Sequence, residues 1–245
     1  MDILELLSEY KTFSFVEFVE VNKQCGSKVG EAAMRKKLQK HLKNEEIIRV
    51  GRGLYAVSNN NCIQYSHVYS DDAIAIASKL KDNHPFLNFT IFELTQLNEF
   101  VNHQIAHNVF FVFVDGDVMD FVFDTLNEFY QGKVLLSPTL EIYHQYWSDN
   151  MIVILKLITE SPKGINIFWH TRLEKLLVDL LAENLISECI SESEYSTIFS
   201  DSFKKYIVDE SCLFRYAKRR HAAEKIETLL NEETEIELRT KGNYL

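Results

Sequence analysis

Apolar residues recur with helical spacing in three segments near the start of the chain. Residues 2–10 carry Leu and Ile three and four positions apart, with Asp2 placed to cap the segment. Ser14, with Glu17 three positions later, has the capping-box pattern that begins a second helix. Residues 31–44 predict a third helix. Its expected inward face is Ala33, Met34, Leu38 and Leu42.

Two short β-prone runs follow within residues 47–57, joined by Gly51, Arg52 and Gly53. Glycines accommodate the positive φ of a tight turn, so this segment predicts a β-hairpin. Three helices followed by a basic hairpin is the layout of a winged helix-turn-helix domain. We therefore expect a DNA-binding domain over residues 1–60.

Basic residues are concentrated in and around the predicted third helix. Residues 28–43 hold six Lys or Arg against one acid, Glu31. A helix that enters a major groove needs an apolar inner face and a polar, cationic outer face. A solvated charged helix remains the alternative for any single lysine. The expected DNA-binding residues are Lys28, Arg35, Lys36, Gln39, Lys40, Lys43, Arg49 and Arg52.

The pattern changes after the polar residues 59–61. Apolar strand-like runs at residues 89–92, 109–114 and 133–136 alternate with predicted helices at residues 73–80, 94–103 and 117–130. Residues 172–245 are mainly helical in pattern. This alternation predicts a second, larger α/β domain over residues 61–245. The expected fold class is α+β, or mixed α/β, with a helical C-terminal part.

Composition narrows the function classes. Among 245 residues, 46% are hydrophobic and no apolar run approaches the roughly 20 residues of a membrane span. The acidic N-terminus lacks the features of a secretory leader, so we expect a cytoplasmic protein without membrane contact. The net charge is −10, but residues 1–60 hold ten basic and eight acidic residues, against 16 and 28 in the rest. The positive charge is therefore local to the predicted DNA-binding domain.

Cofactor and catalytic motifs are weak in this sequence. Its four cysteines form no C-x-x-C pair, and we expect them to be small buried residues without a structural zinc. His103 and His107 are four positions apart but lack the glutamate of a zinc-protease motif. No phosphate-binding glycine loop or nucleophile elbow occurs. We expect no cofactor, no metal and no enzymatic activity.

A metal-dependent nuclease is the enzymatic alternative. Asp115 and Asp117 follow a predicted buried strand, where carboxylates can hold Mg²⁺, although Asp-Gly is also a common turn. The carboxylates and lysine of such a site would come from Glu93, Asp115, Asp117, Glu174 and Lys175. Residues 173–181 predict a core helix, with Thr171 placed to cap its start.

Residues 213–221 hold four cations, Arg219 and Arg220 among them, which can pair with Glu174 or Asp179 or form a second nucleic-acid patch. We expect internal ion pairing, because the surrounding domain is acidic.

Several blocks resemble the AbiEi-type antitoxins, a winged-helix regulator family. The N-terminal blocks are residues 13–14, 34–38 and 48–55, and the C-terminal blocks are residues 97–100, 173–179 and 216–220. The resemblance implies the autoregulating antitoxin of a bacterial type IV toxin–antitoxin system, which binds inverted repeats in its own promoter. It also implies a nucleotidyltransferase-class toxin as functional partner, without a stable complex. A homodimer would match palindromic half-sites. A winged helix that binds protein instead of DNA is a further alternative.

Overall fold

The computed structural model describes residues 2–10, 12–51, 53–58, 64–164 and 167–238. Its fold class is mixed α+β, as the sequence predicted. The helices are α1 (Ile3–Ser8), α2 (Phe15–Gln24), α3 (Glu31–Lys43), α4 (Asp71–Asn83), α5 (Met119–Phe129), α6 (Leu140–Tyr146), α7 (Leu173–Ala182), α8 (Asn184–Ser187), α9 (Tyr195–Lys205), α10 (Glu210–Arg219) and α11 (Ala223–Glu233). The strands are β1 (Phe13–Ser14), β2 (Ile47–Gly51), β3 (Leu54–Val57), β4 (Phe89–Glu93), β5 (Val109–Val114), β6 (Val134–Leu136) and β7 (Met151–Lys156).

The first three helices pack on a small sheet of order β1-β3-β2, in which both pairings are antiparallel. Asp2 caps α1, and the capping box of Ser14 and Glu17 begins α2, as predicted. Strand β1 was not expected from the sequence, because its two residues carry no alternating pattern. A buried apolar cluster holds these elements together. Its fully buried members are Leu7, Phe13, Phe18, Val21, Met34, Leu38 and Ile47.

A mixed sheet of order β4-β5-β7-β6 forms the centre of the remaining chain. Strand β4 is antiparallel to β5, whereas β5 and β6 are both parallel to β7. Alternate residues of β5 enter different apolar clusters: Val109, Phe111 and Phe113 face helices that include α7 and α10, and the others face α4 and α5. The sheet is thus covered on both faces, which explains its continuously apolar central strand.

The small sheet also contacts the C-terminal helices. Ile48 of β2 and Ala56 of β3 are buried, and the side chain of Ile207 packs against them. Strand β2 lies against α10. The hairpin is therefore braced by helices far along the chain. None of the described helices has the length and apolar character needed to cross a membrane.

Several local predictions were wrong. Helix α6 was not predicted; of its side chains only Tyr143 is buried, and Leu140, Ile142 and Tyr146 are exposed. Thr171 does not cap α7; its hydroxyl donates to the carbonyl of Ile91, and Arg172 is the N-cap. Residues 100–103 are not helical. Cys25 is exposed rather than buried, Cys189 is partly buried, Cys212 is buried, and Cys62 lies outside the described residues.

Candidate nucleic-acid interface

Helix α3 is held in place by its inner face. Met34 and Leu38 are buried in the N-terminal core, and Leu42 is half-buried, whereas Ala33 is exposed, contrary to expectation. Lys37 was expected to face outward with the other basic residues of α3, but it is half-buried. Its Nζ donates to Oδ1 of the buried Asn22 at 2.7 Å. One basic residue of α3 therefore fixes the helix to α2.

The outer face of α3 carries Lys36, Gln39, Lys40 and Lys43. At 100° per residue these four positions fall within an arc of roughly 100°, opposite Met34 and Leu38. All four are exposed, and within the described residues none of their side chains has a hydrogen bond or an ion pair. This outer face therefore offers three ammonium groups and one amide to an external partner.

Arg35 lies beside this face in a more constrained position. Its guanidinium donates to Oε1 of Glu31 from Nη2 at 2.7 Å and from Nε at 3.1 Å. The same group stacks 4.4 Å from the centre of the Phe15 ring. Both Arg35 and Glu31 are largely exposed, so the pair is accessible to solvent and to a ligand.

The hairpin and the segment before α3 contribute the other expected contacts. Lys28 is exposed in the segment that leads to α3, and Arg49 is exposed on β2. Gly53 has the positive φ, +74°, that the tight turn was expected to need. The pairing of β2 with β3 is irregular between Arg49 and Gly51. Arg52, predicted at the tip of the turn, lies outside the described residues.

The carboxylates considered for a nuclease do not come together. Asp115 and Asp117 are exposed around a 3-10 turn after β5. Glu93 is buried and accepts hydrogen bonds from His67, Ser70 and Asn108. Burial alone would raise the pKa of Glu93, but the hydrogen bonds from His67 and Ser70 outweigh it, and the pKa lies below its usual value.

Glu174 and Lys175 belong to buried ion pairs instead. Glu174 pairs with Arg172 and accepts from the backbone N–H of Asp209 at 2.9 Å. Lys175 is fully buried against Asp179, with its ammonium over the ring of Phe113. Burial lowers the pKa of Lys175, and Asp179 opposes that effect. These groups stabilise the packing of α7 and have no open face toward a substrate.

The basic segment of α10 pairs internally, as predicted. Arg220 lies 3.3 Å from Oδ1 of Asp179 and 2.9 Å from Oε2 of Glu183, and Arg219 pairs with Glu160 at 2.9 Å. Arg220 thus has a partner that was expected for this segment, Asp179, whereas Arg219 pairs with Glu160 instead and Lys218 is exposed.

His103 and His107, the two histidines considered as metal ligands, contact different acidic residues. His103 contacts Glu194 at 3.0 Å, and His107 contacts Asp149 at 3.7 Å. Across the ranges that the structure describes, no group of three or more His, Cys, Asp or Glu side chains is arranged to hold a metal ion. His67 and His170 line a cavity together with Tyr69. Neither histidine was predicted as a site residue, because their wide separation along the chain leaves no local motif.

Comparisons with known proteins give a family without an assigned activity. No curated protein matches the chain. A solved structure, "Crystal structure of RV2827C protein from Mycobacterium tuberculosis", is similar at 8% identity and a TM-score of 0.26, covering 94% of this chain and 79% of the other. That likeness is too slight to support an argument about fold or function. The model of the "Family of unknown function (DUF6577)" matches residues 33–236, most of the chain, and the protein belongs to this family.

Proposed function

We propose that residues 2–57 form a winged helix-turn-helix domain that binds double-stranded DNA, and that the protein is a transcriptional regulator without catalytic activity. The observation that carries this proposal is the outer face of α3, where Lys36, Gln39, Lys40 and Lys43 are exposed and unpaired within the described residues. Cationic groups on the outside of a helix whose inner face is anchored are what major-groove binding requires.

The rest of the patch fits the same role. Arg35 lies in the first half of α3, Lys28 lies in the segment before it, and Arg49 lies on β2, the hairpin strand that packs against α3. Ile207 packs under the hairpin, which limits the movement of β2 relative to the C-terminal helices. A braced hairpin holds its side chains in register with the helix, and this favours a defined contact with phosphates.

The biological role that we propose is that of an autoregulating antitoxin of a bacterial type IV system, acting in the cytoplasm. Its target would be inverted repeats in its own promoter, bound by a homodimer, with a nucleotidyltransferase-class toxin as a functional partner that forms no stable complex with it. A dimer on B-DNA places two recognition helices about 34–36 Å apart, one helical turn. Insertion of half a turn between the repeats should therefore abolish cooperative binding, while a full turn should restore it.

The decisive experiment is fluorescence anisotropy with the DNA upstream of the protein's own gene across a series of salt concentrations. Each lysine that neutralises a phosphate adds about one unit to the slope of log K against log salt concentration. Lys40→Ala should lower affinity and reduce that slope by about one. Gln39→Ala should leave the slope unchanged but reduce discrimination at one base pair by about 1–3 kcal/mol, because an amide can read adenine.

Lys218→Ala is the matched control, since Lys218 is exposed on α10 and its loss removes the same charge from another surface. The proposal is wrong if the upstream DNA binds no better than unrelated DNA. It is also wrong if Lys218→Ala and Lys40→Ala reduce affinity and salt slope equally.

A further inference from the structure

A cavity of about 290 Å³ lies between the turn after α3 and the segments that precede α4 and α7. Its wall includes Tyr65, His67, Tyr69 and His170, together with Arg172. At roughly 30 Å³ per water molecule, the space equals about ten waters, which suits a small molecule rather than a polymer.

Aromatic rings dominate the wall. The Tyr69 ring lies with its centre 4.9 Å from that of His67 and 4.4 Å from that of His170. The buried Tyr65 side chain forms another part of the lining. Aromatic faces and the plane of an arginine are the surfaces on which flat heterocycles stack.

The wall beside His170 is closely packed. Gly164 is approached so closely that a Cβ atom there would lie 2.0 Å from the carbonyl oxygen of Ile167 and 3.0 Å from Cβ of His170. Tyr69 is fixed by its hydrogen bonds with the carbonyl of Ile91 and the N–H of Thr171, at 2.9 and 2.8 Å. The wall beside Tyr69 and His170 is thus defined by contacts among the protein's own residues.

Charges around the cavity are compensated. His67 pairs with Glu93 at 2.6 Å, and Arg172 pairs with Glu174 at 2.9 Å. Burial, together with the charges of His67 and Lys81, lowers the pKa of His170 below its usual value, which favours the neutral imidazole. Glu45 adds an exposed carboxylate at the edge. A negatively charged ligand would find no uncompensated cation here.

The ring nitrogens of His170 have no hydrogen-bond partner within the described residues. A neutral imidazole offers one donor and one acceptor, which matches the alternating donors and acceptors along the edge of a nucleobase. We propose that this cavity binds an uncharged, planar heteroaromatic molecule with hydrogen-bonding edges, of the purine or pyrimidine class. The ring would lie against the aromatic wall with its edge toward His170. This inference goes beyond DNA binding and does not depend on it.

The test is isothermal titration calorimetry and saturation-transfer NMR on the full chain with adenosine, guanosine, cytidine and uridine as probes. At least one should bind saturably, with a Kd of roughly 10–1000 µM for a ligand of this size. Ribose and inorganic phosphate should neither bind nor compete. His170→Leu should weaken binding about tenfold or more, because the hydrogen bonds to the ring edge are lost.

His107→Leu is the control, because His107 is exposed and lies outside the cavity lining; its affinity should stay within about twofold of wild type. Ser66→Trp provides a second variant, since Ser66 is exposed at the cavity lining and a bulky ring there should block entry without altering a buried residue. The proposal is overturned if no nucleoside binds up to millimolar concentration, if ribose or phosphate competes, or if Ser66→Trp binds as the wild type does.

Discussion

The Nζ atom of Lys37 lies 2.7 Å from Oδ1 of Asn22, so one lysine of α3 is committed to α2. Asn22 is fully buried, and its side-chain amide N–H donates to the carbonyl of Phe18 at 2.7 Å. Without Lys37, the oxygen of Asn22 would lose its hydrogen bond in a site away from water. An unsatisfied buried polar group of this kind costs about 1–3 kcal/mol.

Lys37→Ala should therefore lower the free energy of unfolding by about 1–3 kcal/mol in urea titrations. Lys36→Ala, one position away and fully outward, should change it by no more than about 0.5 kcal/mol. Equal effects of the two substitutions on stability would contradict the assignment of Lys37 to the interior.

Glu31 pairs with Arg35, and under the proposed DNA binding its neutralisation should raise the affinity for DNA. Glu31→Gln removes a negative charge beside the patch and frees the guanidinium of Arg35 for a phosphate. Stability should change by less than about 1 kcal/mol, because exposed ion pairs contribute little. The measurement is the affinity for the upstream DNA at low salt, which should rise several-fold. A fall in affinity would show that Glu31 positions Arg35 productively.

The N-terminal elements could be predicted well because their determinants are local. Ser14 and Glu17 lie in one helical turn, so the capping box that begins α2 is visible in the sequence. The buried and exposed sides of α3 follow equally from helical spacing, with Ala33 as the error. Lys37 could not be told from its neighbours, because its partner Asn22 lies on another helix.

Helix α7 shows where local pattern fails. Its leucine spacing predicts an amphipathic helix, yet Glu174, Lys175 and Asp179 are buried as well. Their burial is possible because Asp179 contacts two residues that lie far along the chain. Tyr216 of α10 donates a hydrogen bond to it, and Arg220, just after α10, forms an ion pair with it. The pairing of the basic segment 213–221 with Asp179 was predicted, but the burial of Lys175 and the hydrogen bond from Tyr216 to Asp179 were not, because the residues that cover α7 lie far along the chain. The same separation conceals the cavity around His170.

Tyr216 should contribute measurably to stability through Asp179. Its hydroxyl donates to Oδ1 of Asp179 at 2.9 Å, in a site where both side chains are buried. Tyr216→Phe should lower the free energy of unfolding by about 1.5–3 kcal/mol, the usual contribution of a hydrogen bond to a charged group. Tyr146→Phe, at an exposed position of α6, serves as the control and should have almost no effect. Equal stability of the two variants would mean that Asp179 is sufficiently stabilised by its ion pairs with Lys175 and Arg220, without the hydrogen bond from Tyr216.

Glu93 should make the stability of the protein depend on acid pH. The hydrogen bonds from His67 and Ser70 hold the pKa of Glu93 below 4.5, its usual value, despite the opposing effect of burial. A carboxyl whose pKa is lower in the folded state than in the unfolded state binds fewer protons when folded. Its contribution to stability is therefore complete above about pH 4.5 and is lost as the pH falls through the folded-state pKa.

Glu93→Gln tests this dependence because the amide cannot ionise. The difference in free energy of unfolding between wild type and Glu93→Gln should be largest near neutral pH and should shrink below about pH 4.5 in urea titrations. Glu232→Gln, at an exposed site of α11, should show no such pH-dependent difference. A difference that grows as the pH falls would mean that the pKa of Glu93 is raised, and that burial outweighs the hydrogen bonds from His67 and Ser70.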